Sequence, residues 1–80
     1  MNSNFYRLNT AGDSLPERAY VDTIMYSGDG TVVFEDASEN ELFEVRSTGP
    51  TVSVDIGCMV VSGFRVKSIS AGTVADVVVR

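Results

Sequence analysis

Thr51-Val52-Ser53-Val54-Asp55-Ile56 alternates without a break. Val52, Val54 and Ile56 point one way and Thr51, Ser53 and Asp55 the other, the period-two pattern of a strand with one face in a core and one in water. The same vocabulary runs outward from this hexapeptide in both directions. The 80 residues include 13 valines, six threonines and three isoleucines, against three leucines, one lysine and no glutamine. Such a chain is rich in strand formers and poor in helix formers.

Turn residues punctuate the chain at short intervals: Gly12-Asp13-Ser14, Ser27-Gly28-Asp29-Gly30, Asp36 to Asn40, Ser47-Thr48-Gly49-Pro50, Gly57, Ser62-Gly63 and Ala71-Gly72. Asp29-Gly30 reads as the tight turn of a hairpin. Residues 31–35 and 41–46 read as a second hairpin around the acidic loop, with Phe34, Leu42, Phe43 and Val45 as core candidates. In residues 64–70 the apolar phase shifts from Phe64 and Val66 to Ile69, which predicts a β-bulge or a bend. Ala71-Gly72 then turns the chain into residues 73–80, where Ala75, Val77 and Val79 share a face, to close a C-terminal hairpin. One helical turn is expected at 14–19, with Ser14 as cap and Pro16 early in the turn.

The expected fold is all-β: a compact antiparallel β-sandwich, jelly-roll-like, of about 6–8 short strands. Residues 13–80 form its single domain, and residues 1–12 an extended N-terminal arm. A chain of this length holds one core.

Two places carry apolar bulk on both faces. Residues 18–26 set Ala19, Val21, Thr23 and Met25 opposite Tyr20, Asp22, Ile24 and Tyr26, and Val77-Val78-Val79 does the same near the end. One face fills the core; the other needs a second cover. Val74, Val78, Tyr20 and Tyr26 are therefore the candidate interface, covered by a neighbouring subunit or by the surface of a larger particle. A domain this short buries only about 60% of its unfolded surface, which favours association. Lysine, the common guard of strand edges, is nearly absent.

Composition excludes much chemistry. There is no histidine, so neither a serine triad nor a cysteine–histidine pair can form. One cysteine cannot supply a structural zinc site or an internal disulfide. Cys58, among Ile56, Met59, Val60 and Val61, reads as a buried structural thiol. Asp36-Ala37-Ser38-Glu39-Asn40 begins like a calcium loop, but Glu41 stands where such a loop needs glycine and Ser47 where it needs glutamate. It reads as a solvated hairpin end. Ser27 to Thr31 lacks the lysine and helix of a phosphate loop. Glu35/Asp36 and Glu39/Glu41 read as surface charge. No catalytic, cofactor or metal residue is assigned, and the chain is not expected to be an enzyme.

The formal net charge of −5 is unevenly spread: residues 1–44 carry nine acids and two arginines, residues 45–80 four bases and two acids. An acidic chain is a poor match for phosphate backbones, and no basic amphipathic stretch favours a membrane. No apolar run approaches the roughly 18–20 residues that span a bilayer. Met1 to Arg7 lacks the basic start and apolar run of a signal peptide. A soluble, cytosol-made protein is expected.

Three blocks together resemble a known family. Asp13-Ser14-Leu15-Pro16-Glu17-Arg18-Ala19 is followed by Ser27-Gly28-Asp29-Gly30-Thr31-Val32, and later by the stretch from Phe64 to Val79. This order is similar to small β-rich structural proteins of tailed-phage virions, including capsid spike-base and decoration proteins. The resemblance implies a non-enzymatic virion component, binding itself and other virion proteins such as the major capsid protein. The competing expectation is a small β-sandwich that binds glycan or peptide, as a tail or neck accessory protein, on a platform of Tyr6, Tyr20 or Tyr26.

Overall fold

The computed structural model describes residues 4–15 and 18–79, apart from the side chains of Asn4, Phe5 and Cys58. The chain is all-β: β1 (Asn4–Leu8), β2 (Arg18–Glu35), β3 (Glu41–Ser62), β4 (Arg65–Ile69) and β5 (Val74–Val79). They form one antiparallel sheet in the order β1-β5-β2-β3, with β4 also paired to β2. The expected six to eight short strands become five, because β2 has 18 residues and β3 has 22.

The difference lies in the glycines. Ser27-Gly28-Asp29-Gly30 is not a hairpin turn but a stretch inside β2, and Ser47 to Pro50 lies likewise inside β3. Gly28 sits opposite Gly49, and the register slips between Tyr26 and Gly28. Two strands thus bend together rather than one strand reversing. Ser47 Oγ, donating to Pro50 O at 2.6 Å and accepting from Gly49 N at 3.1 Å, secures the bend in β3.

The same logic corrects the C-terminal hairpin. β4 and β5 do not pair with each other. Both run along one edge of β2, β4 from Glu35↔Arg65 to Val32↔Ile69 and β5 from Ser27↔Val74 to Val21↔Val79. Residues 70–73 step over the β2 bend, fastened by Ser70 N to Thr31 O at 3.0 Å and Thr31 N to Ser70 Oγ at 3.0 Å. Gly28 leaves room for this step: a Cβ there would lie 2.8 Å from Thr73 Cγ2.

A bulge also settles the two-faced run in β2. Val21 pairs with Val79 and Thr23 with Val78, so Asp22 is the extra residue. One inserted residue flips the phase. Ala19, Val21, Ile24 and Tyr26 consequently share the buried face, all at 6% exposure or less. The expected phase shift in β4 is present, with Val33 opposite Ser68 and Phe34 opposite Val66.

Residues from both sides of the bend enter one core, in which Val21, Ile24, Tyr26, Val32, Phe34, Phe64 and Val77 are fully buried. Phe34 and Phe64 stack with ring centres 4.9 Å apart. Leu42, Phe43, Val52, Val54 and Ile56 are half-buried against this core, and Val45 is buried. The radius of gyration, 11.4 Å, matches the roughly 12 Å expected of a compact 80-residue chain.

Within the segment expected as an arm, the described residues from Asn4 onward belong to this body. Residues 4–8 pair with β5, and Leu8 is buried in the common core. In the expected helical turn, Ser14 instead bridges to Arg65, and Arg18 and Ala19 are strand; Pro16 and Glu17 lie outside the described residues. Leu15 N donates to Phe64 O at 2.9 Å, which lays residues 12–15 along the outer edge of β4. The expected burial of the Cys58 thiol lies outside the described residues.

Candidate interface

The sheet's outer face is built around β5. Alternation buries Ala75, Val77 and Val79 and turns Val74, Asp76 and Val78 outward, all three half-buried. Across β2 these meet Ser27, Met25 and Thr23; across β1, Asp76 faces Arg7 and Val78 faces Phe5. β2 thus flanks both Val74 and Val78, and β1 flanks Val78 on the other side. Between the valines lies a two-point ion pair, with Arg7 Nε 2.9 Å from Asp76 Oδ1 and Nη2 3.3 Å from Oδ2. The hydrogen bond and charge of Asp76 raise the pKa of the exposed Arg7.

Before the Asp22 bulge, Tyr20 has the outward phase, so the bulge puts it on the same face as Thr23 and Val78. Tyr20 is 44% exposed and sits opposite Val60, 45% exposed. Three of the four candidate residues, Val74, Val78 and Tyr20, therefore share one face. Tyr26 does not. It is fully buried and donates its hydroxyl to Thr73 Oγ1 at 2.9 Å, while Thr73 Oγ1 donates to Ser70 O at 2.7 Å. The bulge is the reason: without it, Tyr20 and Tyr26 would have the same phase. Val60 went unnoticed in the sequence, although Met59-Val60-Val61 carries the same signal as Val77-Val78-Val79, three apolar residues that load both faces.

Charge is distributed by burial. Glu35 is not surface charge: it is 8% exposed and accepts from Arg65 Nε at 2.7 Å. Lys67 and Glu41 pair at 2.9 Å in solvent, and Glu41 raises the Lys67 pKa by hydrogen bond and charge. Asp36 is spent on its own loop. Its Oδ1 accepts from Ser38 N at 2.8 Å and Asn40 N at 3.0 Å, and its Oδ2 accepts from Asn40 Nδ2 at 3.3 Å. These bonds, the Asn40 amide foremost, hold Asp36 below the usual carboxylate range. A carboxylate closing a turn in this way has little left for a cation.

Among the described residues no three acids or thiols are placed to hold a metal, and no buried side-chain polar atom lacks a partner. A cleft of about 180 Å³ is lined by Asp36, Ala37, Ser38, Leu42, Met59 and Val60, among others. Small-molecule sites typically need roughly 300–1,000 Å³. No described helix is long and apolar enough to cross a membrane. No family model, curated protein or solved structure matches the chain.

Proposed function

We propose that this chain is a non-enzymatic structural subunit of a tailed-phage virion, a capsid decoration or spike-base protein that works as an oligomer. In this reading the two halves of the bent sheet act as the layers of a jelly-roll-like sandwich, and the outer face of β5 meets the major capsid protein or another virion protein. The carrying observation is that the three blocks of the family resemblance are neighbours in space. Ser14 of the first bridges to Arg65 of the third, and Gly28 of the second packs on Thr73 of the third. Sequence-distant blocks that meet as one unit support a resemblance better than the same blocks scattered. The tyrosine-platform alternative is left with Tyr20 as its exposed ring, since Tyr26 is fully buried and Tyr6 packs against the core.

Incorporation is the test. Particles purified from a lysate of the phage that encodes the chain should contain it in fixed stoichiometry by quantitative mass spectrometry. Val78→Asp, which would bury an unpaired charge at the contact, should stay folded yet be missing from particles. Particles without the parent chain would overturn the virion reading. Normal incorporation of Val78→Asp would remove the β5 face from it.

A further inference from the structure

We propose that the free edge of β3 pairs with the same edge of a second copy, antiparallel across a two-fold axis at Val45. β3 ends the strand order, so its second edge carries no described strand. The bends divide that edge. The part from Phe43 to Ser47 is regular, paired residue by residue with Phe34 through Gly30 on the other side. Within it the exposed face carries Glu44 and Arg46, opposite charges two positions apart. Neither belongs to an ion pair among the described residues.

Symmetry turns this spacing into complementarity. In an antiparallel pair centred on Val45, Glu44 stands directly opposite Arg46 of the second copy and Arg46 opposite its Glu44. An isologous contact makes each pairing twice. Directly opposed residues in a ladder bring their Cβ atoms to about 4.5–5.5 Å, within reach of an ion pair. Val45 meets its own copy and Phe43 meets Ser47, on the face that continues the core. The other regularly paired stretches of β3, residues 52–55 and 59–62, have no such match: the first holds a single charge, Asp55, and the second none. The edge also lacks the usual guard, since the one lysine, Lys67, lies on β4 and is paired to Glu41. This inference rests on the oligomeric reading above and names the contact within it.

Purified protein tests it without particles, so its failure and that of the virion reading are distinguishable. Sedimentation equilibrium should show a monomer–dimer equilibrium for the parent chain. Glu44→Arg sets positive charges opposite each other and Arg46→Glu negative ones; each should weaken dimerisation about tenfold or more. The double reversal should restore it, because the pairs re-form with signs exchanged. Circular dichroism checks that each variant keeps its β spectrum. Should a reversal unfold, Glu44→Gln and Arg46→Gln replace it, with a smaller weakening expected. A parent that stays monomeric, single variants that dimerise like the parent, or a double variant no better than the singles would each overturn the proposal.

Discussion

Gly28→Ala probes the decision that shapes the whole fold, a bend in β2 in place of a turn. Two costs can be read from the coordinates. The backbone at Gly28 has φ 101°, a conformation that costs an L-residue about 1–2 kcal/mol. The new methyl would also lie 2.8 Å from Thr73 Cγ2 and 3.0 Å from Thr73 Cα, and overpacking of this kind costs about 1–3 kcal/mol. Reduced unfolded-state entropy returns about 0.4–1 kcal/mol. The net expected loss is about 1–4.5 kcal/mol, in urea unfolding at neutral pH. Gly49→Ala supplies the control. Gly49 also has positive φ, 134°, but nothing lies within 4 Å of its would-be Cβ, so only the backbone cost of about 1 kcal/mol remains. Thr73→Ser supplies the second check, because it deletes the offending Cγ2 and keeps the hydroxyl that bonds Ser70 and Tyr26. It should recover about 1 kcal/mol in the Gly28→Ala background, a coupling expected only between touching groups. Equal losses for Gly28→Ala and Gly49→Ala, or coupling below about 0.3 kcal/mol, would show that residues 70–73 do not press on the bend.

Tyr26→Phe should cost about 1 kcal/mol in urea unfolding, since it removes one buried hydrogen bond while Thr73 Oγ1 keeps its bond to Ser70 O; an unchanged midpoint would place the hydroxyl in water. Glu35→Gln should cost about 1–3 kcal/mol for a largely buried charged hydrogen bond, moderated because Arg65 is partly solvated. Glu39→Gln and Glu41→Gln should each stay within about 0.5 kcal/mol, and a reversed order would contradict the burial difference. Asp36 has its pKa lowered by folding, so its contribution is complete above the usual carboxylate range and is lost as pH falls through the lowered value. Asp36→Asn should therefore flatten the acid limb of stability against pH; a limb as steep as the parent's would assign acid unfolding to other carboxylates.

Residue alternation by itself determined that the chain is all-β, with Val52, Val54 and Ile56 turned toward the core and Ala75, Val77 and Val79 on one face of the last strand. Period two is a local property, and valine and threonine state it wherever they sit. The Asp36 loop and the slip within β4 were legible for the same reason: each involves only a few adjacent residues. The glycines were not. Gly28 and Gly49 permit positive φ, but whether the chain reverses or merely bends there depends on Ser47, Ser70 and Thr73, partners up to 45 residues away. Nor does any local pattern announce the single extra residue at Asp22, although it exchanges the faces of everything that follows and takes Tyr26 from the outer face into the core. Strand phase is set by hydrogen-bonded neighbours, and those neighbours exist only once the sheet has formed.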